Sequence, residues 1–304
     1  MKRILITGKN SYIGDSVKAW LLSQEQHDII SEICVKESEW QQADFSIYDV
    51  VFHVAGIAHS DTGHASDETK ALYYKVNCDL TIAVARKARA EGVKQFIFMS
   101  SMIVYGDSAP FGTYKRITQE TLPTPANFYG DSKWQAELGL EELRRDDFRI
   151  AIVRPPMVYG KNSKGNYPRL ATLAKKLPLF PNVKNERSMI HIDNLCELIR
   201  LIIAHQEEGV FHPQNDDYIA TSDLAREIAK AHGKKLLLVR SFNPFLRCFA
   251  RRIDVINKVF GNLSYDLSLS EYKEDYRVRR FEESIRLTEK VELKDFSSVK
   301  KVKS

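Results

Sequence analysis

Cysteine is scarce: the four residues Cys34, Cys78, Cys196 and Cys248 in 304 show no paired spacing. They exclude a zinc ribbon or a disulfide framework and fit a reducing, cytoplasmic setting. Long apolar runs are missing too. Phe96-Ile97-Phe98-Met99 and Leu201-Ile202-Ile203 fall far short of the roughly 18 residues of a membrane span. Met1-Lys2-Arg3 leads straight into a strand-like run, so no signal peptide and no membrane insertion are expected. Charge of one sign is not concentrated. The net +5 is dispersed except at Lys300-Lys301-Val302-Lys303, which excludes a nucleic-acid footprint and leaves a balance suited to phosphorylated small molecules. His59, Asp61 and His64 lie close together, but without helical spacing or a strand scaffold they make a poor metal site, and no metal is expected.

What is present is a rhythm. Strand patterns at Arg3–Thr7, Ile29–Val35, Asp49–Val54, Gln95–Ser100 and Arg149–Arg154 alternate with helical patterns near Tyr12–Ser23, Asp67–Glu91 and Tyr129–Arg145. Strands and helices alternating at these lengths imply right-handed crossovers and an α/β fold built on a doubly wound parallel sheet. After Pro155-Pro156 the rhythm loosens into helical stretches near Tyr167–Lys176, Asp193–His205, Ser222–His232 and Phe242–Gly261, while the last twenty residues show little apolar periodicity. This division predicts a dinucleotide-binding (Rossmann) domain over residues 1–160, a smaller α/β substrate-binding lobe over 161–290 and a basic tail over 291–304.

Between the first strand and the first helix lies Gly8-Lys9-Asn10-Ser11-Tyr12-Ile13-Gly14, a glycine-rich turn with serine at its middle position. Such a turn lets backbone N–H groups at a helix N-terminus approach a pyrophosphate. Gly8 permits the turn and Gly14 the close packing of helix on strand. Ser11 is small enough to replace glycine if its φ is negative. Cofactor choice is ambiguous. Glu32 and Glu37 suit the ribose hydroxyl of NAD, whereas Lys9 and Lys36 suit the 2′-phosphate of NADP.

Tyr129 and Lys133 stand four apart on a predicted helix and therefore share a face. An ammonium beside a phenol favours the phenolate and equips the pair for proton exchange with an alcohol or ketone. Ser101 closes the apolar strand at 95–100, where an open parallel sheet presents its ligands. His53 and His191, inside apolar runs, are expected to be core histidines.

The ordered set TGKNSYIG, FHVAG at 52–56, SSMIVYG at 100–106, YGDSK at 129–133 and RPPMVYG at 154–160 resembles the extended short-chain dehydrogenase/reductases, in particular their nucleotide-sugar epimerase/dehydratase branch. The resemblance implies Ser101, Tyr129 and Lys133 as catalytic residues. It implies a NAD or NADP site at Gly8, Ser11, Tyr12, Ile13, Gly14, Lys36, Ala55, Gly56, Asn77, Tyr129, Lys133 and Pro156. It also implies a nucleotide-sugar substrate, UDP-linked, held near Ser101, Met102, Asn166, Phe180 and Arg187, and a homodimer.

Departures from that branch narrow the reaction. Sugar 4,6-dehydratases of the branch carry Asp-Glu after the catalytic Ser/Thr, where this chain has Met102 and Ile103, side chains that move no proton; dehydration is therefore not expected. The leading expectation is C4 epimerisation of a UDP-hexose by reversible hydride transfer. The alternatives are reduction of a nucleotide-linked 4-keto-6-deoxy sugar by NADPH and a non-catalytic nicotinamide sensor.

Overall fold

The computed structural model describes residues 1–25, 27–58, 65–250 and 254–289, with side chains omitted at 254 and 255. The stretch holding His59, Asp61 and His64 and the basic tail lie outside the described residues.

The first half runs β1 (Arg3–Thr7), α1 (Tyr12–Leu22), β2 (Ile29–Ile33), β3 (Val50–His53), α2 (Asp67–Tyr74), α3 (Leu80–Ala90), β4 (Gln95–Met99), β5 (Arg116–Ile117), α4 (Phe128–Glu141) and β6 (Arg149–Val153). A five-residue π-helical segment, Lys75–Asp79, joins α2 to α3. The second half runs β7 (Met157–Tyr159), α5 (Asn166–Lys176), β8 (Leu179–Pro181), β9 (Met189–His191), α6 (Ile192–His205), β10 (Gly209–Phe211), α7 (Thr221–Ala231), β11 (Leu237–Val239), α8 (Asn243–Phe249), α9 (Asp254–Phe260), β12 (Ser264–Tyr265) and α10 (Phe281–Glu289).

Six strands form one parallel sheet in the order β10-β6-β4-β3-β1-β2. The reversal of winding beside β1 makes a Rossmann-type switch point, where ligands of such sheets bind. Side chains of each strand alternate between two cores. Ile97 and Met99 of β4 face α1 and α6 with Ile4, Val17 and Leu198. Phe96 and Phe98 face α3 and α4 with Val84, Ala88, Ala136 and Leu140. Burial on both faces explains why these strands read as nearly continuous apolar runs. His53 sits within this sheet between Thr7 (2.7 Å) and Thr81 (3.0 Å), and burial pushes its pKa down to about 3. It is thus a neutral core histidine, as is His191, which burial pushes down to about 4.

The second lobe has its own core, formed by Tyr167, Ala171, Phe180, Leu224, Ile228, Phe260 and Ile285. The boundary at residue 160 is soft, and the segment after it serves both halves. The α6 helix lies on the first core and β10 is the sixth strand of the main sheet, so the chain returns to the Rossmann half after entering the lobe. β10 is only three residues long and escapes pattern reading. α10 escapes it too, because its buried face is Ser284, Ile285 and Thr288, with one aliphatic residue.

The α4 helix is anchored by a buried charge network. Arg154, just after β6, donates Nε to both Glu137 carboxylate oxygens at 3.1 and 3.0 Å, and its Nη2 pairs with the same group. Ser100 also donates to Glu137, and the Arg154 guanidinium lies 5.6 Å from the Trp134 ring centre. Tyr265 donates to the Arg154 carbonyl at 2.8 Å, and Tyr105 meets His212 at 2.8 Å. Removing one partner leaves a charge without its counter-charge in the interior. Arg154→Met is expected to lower unfolding free energy by about 3–5 kcal/mol, and Arg154→Met/Glu137→Leu to restore much of it, as read by urea denaturation. A double variant no more stable than the single one contradicts this account.

Candidate active site

The turn after β1 is built for close approach. Gly8 has φ +103°, and a Cβ there would stand 2.8 Å from the Ala55 amide nitrogen, so only glycine fits against the chain leaving β3. Ser11 has φ −86°, meeting the condition for replacing glycine, and its hydroxyl caps α1 by accepting from Gly14 N–H at 3.1 Å. Helix geometry leaves the N–H groups of Tyr12 and Ile13 without acceptors inside α1. A Cβ on Gly14 would meet Val54 at 3.1 Å and Ile6 at 3.3 Å, so this glycine seats the helix on the sheet. The Tyr12 side chain turns inward: its hydroxyl is buried without a hydrogen-bond partner among the described residues, beside Gly160. Only its backbone faces the turn.

At the end of β2, Glu32 is held by Lys18 of α1. Cys34, Lys36 and Glu37 follow, all exposed. Of the two carboxylates considered for the ribose hydroxyl, one is therefore already paired.

Beyond β3 the chain is fastened by Asn77. This side chain accepts from Ile57 N–H at 2.8 Å and donates to the Ile57 carbonyl and to the Ser132 hydroxyl, both at 3.1 Å. A Cβ on Gly56 would lie 3.1 Å from Asn77 Oδ1 and 3.2 Å from Lys133 Nζ. Ala55-Gly56, Asn77 and α4 thus meet at one point. Ser132 belongs to this junction and donates to the Tyr129 carbonyl at 2.9 Å. Sequence reasoning passed over it, although it lies inside YGDSK.

Lys133 is 5% exposed. Its ammonium donates to the Met99 carbonyl at 2.9 Å and stands 4.6 Å from the Phe98 ring centre. Burial pushes its pKa down to about 8, with the Glu137 carboxylate one turn further along opposing the shift. Tyr129 is half-buried, and burial pushes its phenol up to about 12, opposed by a hydrogen bond with Ser101 and reinforced by Tyr73. The expected acidification of Tyr129 by Lys133 is corrected here. In the chain itself desolvation governs the phenol, and the ammonium is committed to Met99. Ser101 has two tasks: its hydroxyl meets Tyr129 and also accepts from Ile103 N–H at 3.3 Å, capping the short turn Met102–Tyr105.

The substrate-side candidates divide. Met102 is buried in a cluster with Val104, Tyr105, Ile117 and Tyr265, and Phe180 packs 5.8 Å from Phe260. Both side chains are buried in the chain's own packing. Pro156 is buried directly before β7, and Asn166 is exposed at the first turn of α5. Arg187 donates to the Lys258 and Gly261 carbonyls at 3.0 and 3.2 Å. Burial alone moves its pKa, downward, and no carboxylate pairs with it among the described residues. A guanidinium left without a counter-charge suits a diphosphate.

Because Lys133 titrates near 8 when folded and near 10.5 otherwise, the unfolded chain binds more protons between those values. Stability therefore rises with pH across that window. Lys133→Met is expected to be more stable than the parent at pH 7 by about 3 kcal/mol, with the gap closing between pH 8 and 10.5. Chemical denaturation at several pH values checks it, and a gap independent of pH counts against a desolvated ammonium.

Residues 4–218 match the model of the NAD dependent epimerase/dehydratase family. UDP-glucose 4-epimerase of Vibrio cholerae is 30% identical over 297 residues, covering 88% of each chain. N-acetyl-alpha-D-glucosaminyl-diphospho-ditrans,octacis-undecaprenol 4-epimerase of Escherichia coli O157:H7 is 28% identical over 70% of this chain and 64% of its own. Among solved structures, Thermus thermophilus UDP-glucose 4-epimerase in complex with NAD matches with a TM-score of 0.73 at 18% identity, over 95% of this chain and 98% of that one. The turn at Gly8, the Asn77 junction and the Ser101, Tyr129 and Lys133 set thus lie in a chain that belongs to the NAD dependent epimerase/dehydratase family.

Proposed function

We propose that the chain interconverts C4 epimers of a hexose carried on a diphosphate, with a UDP-hexose as substrate. The observation that carries this reading is the hydrogen bond of Tyr129 with Ser101 just past β4, with Lys133 one turn along the same helix held at the Met99 carbonyl beside Gly56. A Cβ at Gly8 would strike the Ala55 backbone and one at Gly56 would crowd Asn77 and Lys133, so both turns stay bare of side chain where a nicotinamide dinucleotide would lie. When bound, NAD or NADP supplies and retakes the hydride. Tyr129, protonated in the chain alone, gives and takes the proton on the C4 oxygen. Ser101 donates to that oxygen. Lys133 would hold the dinucleotide's ribose, and Arg187 would neutralise the diphosphate.

The Vibrio relative's name supports a UDP-hexose. The Escherichia relative, named for a polyprenyl diphosphate sugar, extends the class to other diphosphate carriers. Met102 and Ile103 supply neither acid nor base, which argues against 4,6-dehydration. A second reading, reduction of a 4-keto sugar by NADPH, draws support from exposed Lys9 and Lys36 together with the pairing of Glu32 to Lys18. A homodimer in a reducing cytoplasm completes the proposal, in keeping with four free cysteines.

Purified protein incubated with UDP-glucose or UDP-N-acetylglucosamine is expected to form the C4 epimer, followed by proton NMR, with no net change in nicotinamide absorbance. Stoichiometric NADPH loss with a 4-keto sugar and no epimerisation replaces this reading with the reductase. Tyr129→Phe is expected to lower turnover on the order of 100-fold or more while dinucleotide binding by calorimetry stays near the parent value. Arg187→Ala is expected to raise KM by about tenfold, with a smaller effect on kcat.

A further inference from the structure

Outside the site, the second lobe carries an apolar surface that none of the described residues covers. Leu237 is 62% exposed, Phe245 67%, Phe249 47% and Phe242 38%. Leu237 lies opposite Leu179 in the β8–β11 pair, and Leu179 is exposed with its neighbours Leu177 and Pro178. Phe242, Phe245 and Phe249 fall at intervals of three and four, hence on one stripe of α8. The helix is fixed to the lobe from its other side: Leu246 packs on the lobe core, Ala250 is buried, and Asn243 donates to the Asn182 carbonyl at 2.9 Å. The stripe is therefore held outward by a seated helix.

We propose that this face, α8 with the adjoining edge of β8 and β11, docks on the surface of an anionic phospholipid bilayer. Charge decides the occupant. Lys176, Lys184, Lys235, Arg240 and Arg247 border the face, all exposed and without a carboxylate partner among the described residues. No acidic residue occurs between Asp147 and Glu186, nor between Glu227 and Ala250, so both segments that build the face lack negative charge. Phenylalanine and leucine ringed by uncompensated cations match the headgroup and acyl boundary of anionic lipid. A second copy of the same face would bring like charges together. The surface stands independently of the C4 reaction and is read without turnover. It adjoins the candidate site: Asn257 donates to the Ala250 carbonyl at 2.9 Å, and Lys258 next to it holds Arg187.

The full chain is mixed with phosphatidylcholine vesicles, alone or with about one third phosphatidylglycerol, and sedimented. Binding is expected with the anionic vesicles only, weakening as salt rises. Phe245→Ser/Phe249→Ser is expected to lower the partition coefficient at least about tenfold, and Arg240→Glu/Arg247→Glu to do the same with the apolar stripe intact, so that either pair suffices should the other fail to fold. Circular dichroism melting of both is expected to match the parent. The proposal is overturned by equal sedimentation of parent and phenylalanine variant, or by no gain from phosphatidylglycerol. Loss of binding only on neutralising Lys300, Lys301 and Lys303 also overturns it, as does a dimer that the phenylalanine variant dissociates in gel filtration.

Discussion

Burial of the Lys133 ammonium is the constraint around which the first half is arranged. A cation at 5% exposure needs an acceptor, a polarisable neighbour and room. The Met99 carbonyl at the end of β4 supplies the first and the Phe98 ring the second, and glycine at position 56 leaves the third. Asn77 holds the loop after β3 so that this room persists, and it reaches Ser132 on the same turn of α4 that carries the lysine. One turn further on, Glu137 raises the ammonium's proton affinity against desolvation, and Glu137 is itself fixed by Arg154. The candidate catalytic helix is thus tied to β4 and β6 through charges that water does not reach. Low local dielectric makes these ties strong and makes their partial loss costly.

The phenol is placed by the same packing but titrates for a different reason. Tyr129 lies among Tyr73, Phe128 and Ser101, where removal of water outweighs the hydroxyl bond. The chain alone therefore keeps it protonated at neutral pH. A protonated phenol and an ammonium that titrates near 8 fit the acid half of carbonyl chemistry without further charge.

Which parts of this were legible in the sequence follows from the range of each interaction. The sheet was legible because strands buried on both faces are continuous apolar runs, and the Gly8–Gly14 turn and the Tyr129–Lys133 spacing because each lies within one stretch of sequence. Ser11 could be judged from size and φ alone, although its N-cap role was not foreseen. Glu137, Arg154, Tyr105 and His212 were missed: each belongs to a different element, and only the fold joins them. The burial of Phe180 and Met102 was hidden for another reason. Both belong to short elements where one residue of phase decides between core and cleft, and Leu179 beside Phe180 takes the exposed phase. The soft boundary at residue 160 followed the loosening of the rhythm after Pro155-Pro156, and a pattern alone does not reveal that α6 and β10 fill the sheet's remaining face and edge.

The charge distribution of the second lobe follows from what the first half requires. Carboxylates are needed where cations are buried, and Glu137 meets that need from within α4. In the lobe the guanidinium of Arg187 has no such partner among the described residues, and backbone carbonyls of Lys258 and Gly261 hold it instead. Carbonyls orient a guanidinium without neutralising it, so its field extends into the cleft. The adjacent Glu186 is taken by Arg116, and the runs from 148 to 185 and 228 to 250 contain no carboxylate. The same absence leaves the outer cations around α8 uncompensated. One feature of composition, the lack of carboxylates in these two runs, thus leaves both Arg187 and the cations around α8 without counter-charge among the described residues, and α9 touches both through Asn257 and Lys258.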